Sequence, residues 1–175
     1  MQLSDMLNPP PGHTWEEYMR AALSLSRRAW ILGEIPVGAL VVDGTGTIIG
    51  DGINTPIRDN DPTAHAEIQA LRAAAQTVGN YRLTGSILVV TLEPCLMCVG
   101  AIVHARLAGV VYGAHDPKTG ALCSCIRGAE LPFQNHRPLI LGGILEEECA
   151  QLLRSFFRQR REEKKSLRAQ PVSDP

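Results

Sequence analysis

The stretch "SILVVTLEPCLMCVGAIVHARLAGVVYG", residues 86–113, decides the fold. Its first seven residues, SILVVTL, are apolar on both faces, which is typical of a buried central strand. A short helix, PCLMCVGAIVHAR, is predicted to begin at Pro94, and GVVYG then predicts a second buried strand. Strands separated by a helix can pair in parallel through a right-handed crossover. The stretch therefore predicts a β-α-β unit in the middle of a sheet.

Upstream of this unit, the sequence predicts a helix, a hairpin and a second helix. In TWEE, residues 14–17, Thr14 and Glu17 form a capping box, and the helix that follows is expected to end at Gly33. VGALVVD and GTIIG are apolar runs around turn residues, which is typical of a hairpin. The polar segment GINTPIRDNDPT predicts a loop, and AEIQALRAAAQ predicts a helix that ends near Gly79.

Downstream, residues 114–137 predict a loop-rich region, PLILGG predicts a short strand, and the amphipathic run from 144 to 168 predicts a long helix. The order of elements indicates an α/β fold, a three-layer α/β/α domain around a mixed sheet of about five strands. We expect this domain to span residues 14–168, with a flexible N-terminal arm at 1–13 and a flexible tail at 169–175.

The composition suits one cytoplasmic domain with free thiols. The chain has 175 residues, 45% of them apolar, which is enough for a core without disulfides. No run approaches the roughly 20 apolar residues of a membrane span, and the N-terminal residues lack the pattern of a signal peptide. Five cysteines are an odd number, which argues against a disulfide framework. The net charge of −1 predicts no polyanionic partner by itself.

Two separated motifs predict a zinc site. In EPCLMC, Cys95 and Cys98 are three apart at a helix start, so both sulfurs point to one side and the helix dipole favours their thiolates. Two thiolates and the imidazole of His65, in PTAHAEIQAL, suit zinc in a reducing compartment. The alternatives for C-x-x-C are a redox pair or chance. Three protein ligands leave the fourth position for water, as a catalytic zinc requires.

Glu67 would have a task in such a site. A carboxylate beside a zinc-activated water can take its proton and return it to a leaving group. The alternative is an ordinary first-turn acid that the helix dipole stabilises. Residues two apart on a helix point about 200° apart, so His65 and Glu67 can face one site only at the mouth of the helix. The spacing favours a site at the N-termini of two adjacent helices.

HAE and PCLMC, with 26 residues between Glu67 and Pro94, resemble the zinc signature of the cytidine deaminase-like superfamily. Within it, the chain is most similar to the bacterial tRNA-specific adenosine deaminases. The resemblance covers roughly residues 14–165 and is carried by IPVGAL, NTPI, DPTAHAEIQALR, NYRL, TLEPCLMCVGAIVHAR, VYGAHDPKTGA, NHR and GILEEECAQLLRSFFRQRR.

The resemblance implies hydrolytic deamination of the wobble adenosine to inosine in a tRNA anticodon loop, with tRNA-Arg carrying an ACG anticodon as the expected substrate. It implies one Zn²⁺ per subunit, held by His65, Cys95 and Cys98, a proton shuttle at Glu67, and a base that is flipped into the pocket. It also implies a homodimer that binds the anticodon loop near the dimer interface.

The same resemblance implies which residues bind the substrate. Asn54 would hydrogen-bond the base, and the backbone amides of Ala66 and Cys95 would line the pocket. Two loops and the last helix would contact the RNA. Their residues are Asp116, Lys118, Asn135, His136, Phe156, Phe157 and Arg158, with Arg160 and Arg161 as further phosphate contacts.

The basic C-terminal run has two interpretations. From Arg154 to Arg168, seven residues are basic and two are acidic. One interpretation is a solvated helix face with i,i+4 pairs, and the other is a phosphate-contacting patch. The resemblance makes the second as strong as the first, because an RNA loop is recognised by shape, stacking and base edges and needs only local positive charge.

The loop after KTGA departs from the family, whose members commonly have a glycine and a serine where this chain has LCSCIRGAEL. We expect Cys123 and Cys125 to be small, semi-buried loop residues and not a second metal site, since no histidine or acid lies beside them at ligand spacing. His104 and Cys149 are predicted to be packing residues in helices. His115 could touch RNA.

Two other functions fit the motifs. Deaminases of free bases or nucleosides, such as guanine or cytosine, share the zinc signature, although the FFRQRR helix and the NTP loop favour a tRNA substrate. A zinc-stabilised RNA-binding module is the second alternative, and Glu67 would have no task in it. Substitution of Glu67 therefore separates an enzyme from a binding module.

Overall fold

A five-stranded mixed sheet, in the order β2-β1-β3-β4-β5, lies between two layers of helices. The strands are β1 (Gly38–Val42), β2 (Ile48–Ile53), β3 (Ile87–Leu92), β4 (Gly109–Ala114) and β5 (Leu139–Leu141). The helices are α1 (Trp15–Ile31), α2 (Pro56–Asp59), α3 (Ala66–Val78), α4 (Leu96–His104) and α5 (Glu146–Ala169), with a 3-10 turn at Gly128–Glu130. This computed structural model describes residues 7–169, with side chains as far as Leu167. The predicted three-layer α/β/α fold is confirmed.

The stretch 86–113 forms the centre of the sheet, as predicted. β3 pairs in parallel with β4, from Ile87 opposite Gly109 to Leu92 opposite Ala114, and α4 forms the crossover between them. β1 pairs antiparallel with both β2 and β3, and β4 pairs in parallel with β5. The predicted hairpin and the predicted parallel unit therefore share one sheet.

Each face of the sheet is covered by two helices. α3 and α4 pack on one face, and α1 and α5 pack on the other. β2 has glycines where α3 crosses it, and a Cβ on Gly50 or Gly52 would overlap the backbone of α3. Because nothing larger than hydrogen separates them, α3 lies directly against the strand. This contact determines where the first turn of α3, and with it the HAE motif, is held.

α1 begins at the predicted capping box, since Glu17 N donates to Thr14 Oγ1 at 3.2 Å and Thr14 N donates to Glu17 Oε2 at 2.8 Å. The segment expected to be a flexible arm contacts the domain through Leu7. Leu7 is buried in the core, and Trp15 Nε1 donates to the Leu7 carbonyl at 2.9 Å. Residues 1–6 of that arm and 170–175 of the expected tail lie outside the described residues, and residue 169 is the last of α5.

Two other predicted boundaries differ. α4 begins at Leu96 and not at Pro94, because Cys95 has extended φ and ψ of −76° and 171° and serves as the N-cap. The segment predicted as a loop contains the one-turn helix α2, which begins at Pro56, a residue whose preset φ suits the first helical position. Within residues 7–169, no helix combines the length and the apolar character that crossing a bilayer needs.

Candidate active site

The N-termini of α3 and α4 meet and bring the two predicted zinc motifs together. His65 is the N-cap of α3 and Cys95 is the N-cap of α4, each with extended backbone angles and no capping bond from its side chain. Their imidazole and thiol are therefore free to point toward a common centre. Cys98, in the first turn of α4, is fully buried beside them. This is the helix-mouth arrangement that the His65–Glu67 spacing predicts.

The three donor atoms have the spacing of a tetrahedral zinc site. His65 Nδ1 lies 3.7 Å from Cys95 Sγ and 3.6 Å from Cys98 Sγ, and the two sulfurs are 3.8 Å apart. Tetrahedral zinc with ordinary bond lengths places two sulfurs about 3.8 Å apart and a sulfur and a nitrogen about 3.6 Å apart. The residues present therefore fit Zn²⁺ in both donor chemistry and geometry.

Hydrogen bonds within this cluster shift the pKa values of its thiols and of the imidazole. The hydrogen bond with Cys98 lowers the pKa of Cys95 to about 4. The same contact, together with burial and the nearby Glu67 carboxyl, raises the pKa of Cys98. The hydrogen bond with Cys95 also raises the pKa of His65. A divalent cation at the centre would favour the thiolate at both sulfurs.

Glu67 lies beside the three donor atoms and is not one of them. It is the second residue of α3 and only 4% of it is exposed. Burial raises the pKa of Glu67. A carboxyl in this position can bind or release a proton at the same place where a metal would hold water.

Asn54 follows β2 and is held near the first turn of α3. Its backbone N–H donates to Val37 O at 3.1 Å, and the next residue, Thr55, donates to Ala64 O at 2.9 Å. Asn54 is 7% exposed, and its side chain forms no hydrogen bond with any described residue. Its amide can therefore serve a ligand. Ala66, whose amide is predicted to line the pocket, is fully buried at the start of α3.

Two of the predicted RNA-binding residues lie in the loop after β4. Asp116 Oδ1 accepts from Lys118 N at 2.9 Å, and Asp116 Oδ2 accepts from Thr119 Oγ1 at 2.6 Å. The Asp116 carboxylate is thus used to shape its own turn. Lys118 is exposed, and its ammonium group is available to a phosphate.

Asn135 and His136 are engaged with the connection between α4 and β4. Arg106 Nη1 donates to both Asn135 Oδ1, at 2.6 Å, and Asn135 O, at 3.0 Å. His136 Nε2 donates to Leu107 O at 2.6 Å. These contacts give both residues a role in holding the segment before β5 in place.

The two phenylalanines of α5 differ in exposure. Phe156 is 5% exposed and packs edge-on against Trp30 with ring centroids 5.6 Å apart, whereas Phe157 is 43% exposed. A direct contact between RNA and Phe156 therefore does not fit its burial, because its ring belongs to the interface between α1 and α5. Phe157 presents a ring to solvent, and Arg158 beside it is exposed.

Two buried carboxylates, one of them next to the site, were missed by the sequence analysis. Glu93, 2% exposed, follows β3 and accepts hydrogen bonds from the loop after β4. Burial alone would raise the pKa of Glu93, but its bonds with Ser124 and with loop amides lower it. Glu34, 1% exposed, accepts from Arg58 N at 2.7 Å in α2. The sequence carried one signal for such residues, an acid next to a buried apolar strand. A charge buried there requires hydrogen-bond donors from elsewhere in the fold.

Of the predictions for the other cysteines and for His104, one is confirmed and the others are wrong. Cys149 is buried as predicted, and burial raises its pKa to about 12. Cys123 and Cys125 are exposed and not semi-buried, because their loop turns outward there. His104 is exposed, so the prediction of a packing residue is wrong; it lines a groove between α3 and α4. Within residues 7–169, His65, Cys95 and Cys98 are the one group of three side chains close enough together to hold a metal ion.

Comparisons with known proteins agree with this geometry. Residues 13–114 match the family described as the cytidine and deoxycytidylate deaminase zinc-binding region. A tRNA-specific adenosine deaminase of Haemophilus influenzae is 53% identical over 154 residues, which are 88% of this chain and 89% of the relative.

Two solved structures bear on the type of deaminase. One, from work on A-to-I editing by tRNA:A34 deaminases at the wobble position of transfer RNA, is 42% identical with a TM-score of 0.75, over 78% of this chain and 98% of the other. A guanine deaminase of Bacillus subtilis is 41% identical with a TM-score of 0.56, over 59% of this chain and 66% of the other. The identity to the Haemophilus influenzae relative extends over nearly its whole length, and the matched zinc-binding region takes up more than half of this chain. The chain therefore belongs to the tRNA-specific adenosine deaminase family.

Proposed function

We propose that the chain hydrolyses the wobble adenosine of a tRNA anticodon loop to inosine, with an ACG-anticodon tRNA-Arg as substrate. The observation that carries this proposal is the junction of two helix N-termini, where three donor atoms at zinc spacing lie beside the buried carboxyl of Glu67. The choice of an adenosine in tRNA is supported by the similarity to tRNA-specific deaminases along almost the entire chain.

One Zn²⁺ per subunit is the proposed cofactor, with His65, Cys95 and Cys98 as ligands. Zinc in a site with three protein ligands activates a water molecule for attack on an electrophilic carbon. The two N-cap positions hold a ligand each, so the packing of α3 and α4 determines the size of the site. Binding of the metal would in turn tie the two helices together.

Glu67 is the proposed proton carrier. Its carboxyl would take a proton from the attacking water and deliver one to the amino group that leaves as ammonia. Burial raises the pKa of Glu67, which brings the carboxyl nearer to the range in which it can both accept and release a proton. Because Glu67 is not among the metal donors, its removal should abolish turnover without releasing the metal.

The base would be recognised by Asn54 and by two backbone amides, those of Ala66 and Cys95. The Asn54 side chain offers a donor and an acceptor that no described residue occupies, at the edge of the first turn of α3. Amides at a helix N-terminus point their N–H groups toward the site. Together they could bind the ring of a flipped adenine while its amino-bearing carbon faces the metal.

RNA contacts would come from exposed side chains around this pocket. Lys118 and Arg158 offer positive charge and Phe157 offers a stacking surface. Asp116, Asn135, His136 and Phe156 would contribute by holding the loops and helix that carry these groups. Arg160 and Arg161 extend the basic surface along α5. We assign these functions to one deaminase domain, residues 14–168.

A homodimer in the cytoplasm is the proposed form of the enzyme. α3 and α4 border a groove of about 270 Å³, whose lining is mostly apolar and also includes Arg72 and His104. Tyr81 is 64% exposed, and Leu96 at the start of α4 is 54% exposed. Apolar surface beside the active-site helices is suited to a second subunit that would also border the RNA.

The test compares RNA and free bases as substrates. Purified protein with zinc should convert the wobble adenosine of an ACG anticodon stem-loop to inosine, detected by mass spectrometry of the digested RNA. A stem-loop with guanosine at the wobble position is the control for site specificity. If free guanine or cytosine is deaminated and the RNA is unchanged, the proposal is wrong and a base deaminase, as in the Bacillus subtilis structure, is the better description.

A further inference from the structure

Glu93 is a buried carboxylate that the deamination chemistry does not use. It lies between the last residue of β3 and the Pro94–Cys95 pair that opens α4. Its side chain is fully buried, and its one possible cationic partner among the described residues is His115, whose Nδ1 lies 3.6 Å from Glu93 Oε2 and whose side chain is 41% exposed. A histidine carries charge only when it is protonated, so a carboxylate buried beside one also requires hydrogen-bond donors around it.

Those donors all come from one loop, residues 116–124. Glu93 Oε1 accepts from three successive amides, those of Leu122 at 3.1 Å, Cys123 at 2.8 Å and Ser124 at 2.9 Å. Glu93 Oε2 accepts from Asp116 N at 3.1 Å and from the Ser124 hydroxyl. Both ends of the loop are therefore bonded to one side chain.

The loop is also shaped to fit around this carboxylate. A Cβ on Gly120 would lie 2.5 Å from both Cδ and Oε2 of Glu93, so only glycine allows the backbone to pass this close. On its other side the loop contacts the metal motif, because Ala121 N donates to Pro94 O at 2.8 Å and Gly120 forms a β-bridge with Cys95. The carboxylate is the centre about which the loop folds.

We propose that Glu93 is a positioning residue for RNA binding, which holds the 116–124 loop so that Lys118 is presented beside the metal centre. The inference rests on the proposed function for the identity of the substrate. The metal ligands themselves are the N-caps of α3 and α4 and Cys98, and none of them hydrogen-bonds with the Glu93 carboxylate. Loss of the carboxylate should therefore weaken RNA binding far more than it alters metal binding.

Glu93→Gln is the informative variant because it keeps the side-chain shape. Its amide oxygen can still accept from the three successive amides, but its NH₂ group cannot accept from Asp116 N. The KM for the anticodon stem-loop should rise about tenfold or more, since the loss of one hydrogen bond to a charged group corresponds to roughly that factor. kcat should change by less than KM, and zinc content should equal that of the wild type.

Hydrogen exchange provides a readout that needs no substrate. The amide of Asp116 should exchange faster in Glu93→Gln, and the amides of 122–124 should also do so in Glu93→Ala, while β3 and β4 remain protected. Glu16→Gln is the matched control, because it makes the same chemical change at an exposed position of α1. It should leave exchange, zinc content and KM unchanged.

Three outcomes separate the possibilities. Faster exchange confined to the loop, with a raised KM and full zinc content, supports the inference. Wild-type exchange in the Glu93 variants, or a fall in kcat and zinc content with KM unchanged, overturns it while leaving the proposed function intact. A wild-type enzyme that does not deaminate the RNA overturns the proposed function, and the RNA-positioning role with it.

Discussion

Gly52→Ala is expected to displace the active-site helix without touching an active-site residue. Gly52 lies in β2 where α3 crosses the strand, and a Cβ there would come within 2.5 Å of Ala70 N and closer still to Ala66 O. Both are backbone atoms, so no side chain can rotate to make room. The strand and the helix must separate, and the first turn of α3 carries His65 and Glu67.

The size of the effect follows from the overlap. Cβ atoms essentially never approach other heavy atoms within 3.0 Å, so the helix must move by at least about 0.5 Å, and overpacking of this kind costs about 1–3 kcal/mol. For a chain of this length, that corresponds to a fall in Tm of roughly 2–12 °C. Misplacement of catalytic groups on this scale lowers the deamination rate by about ten- to a hundredfold.

Thermal unfolding, zinc content and the initial rate on the anticodon stem-loop would be measured on the same preparations. Gly44→Ala is the matched control, because the added Cβ would have no heavy atom within 4 Å. It should behave as the wild type. If Gly52→Ala has the Tm and the rate of that control, direct contact between α3 and β2 does not position the site, and the reasoning fails.

Two further predictions concern the metal centre, and a third concerns Asp43, whose Oδ1 accepts hydrogen bonds from Thr45 in the turn between β1 and β2. Glu67→Ala should lower the deamination rate by about 10²–10⁴-fold while zinc content and Tm are retained, and an unchanged rate would exclude the proton-carrier role. Cys98→Ser should reduce both zinc content and Tm, because metal binding joins α3 to α4; full zinc occupancy, measured by atomic absorption, would argue against Cys98 as a ligand. The hydrogen bond from the Thr45 hydroxyl lowers the pKa of Asp43, so the carboxylate stabilises the folded state above the unfolded pKa, and this contribution is lost as the pH falls through the folded value. Asp43→Asn should therefore lower Tm at neutral pH and match the wild type once the pH is below the folded pKa of Asp43, and an equal deficit at neutral and at strongly acidic pH would contradict this.

Local patterns predicted most of the elements and named the residues that the fold brings together as a candidate metal site. The capping box at Thr14 and the β-α-β stretch 86–113 are encoded by neighbouring residues, and both appear as predicted. The His65–Glu67 spacing predicted a helix mouth because two such residues cannot share one helix face. The boundary error at Pro94 has a physical reason, since Cys95 is needed as an extended N-cap in order to turn its thiol toward His65.

Contacts between distant residues could not be predicted in this way. Glu93 accepts a hydrogen bond from Ser124, which is 31 residues away in the sequence. The residues around each of them give no indication of this contact. Phe156 and Phe157 are adjacent, yet one is buried and the other exposed, because Trp30 of α1 covers only the first. The burial of Leu7 also depends on distant residues, because its side chain packs into a core cluster formed by α1 and the sheet.

The burial pattern of α5 has a consequence for its distal half. Phe156 is its last buried residue among the side chains described, which reach Leu167, and the helix continues for about 20 Å beyond Phe156. This end is supported by its own side-chain pairs, such as Arg160 with Glu163 at 3.6 Å. Helical segments of this length are marginally stable in water when nothing packs against them. The helicity of this end should therefore depend on ionic strength, and a polyanion along its basic residues would increase it.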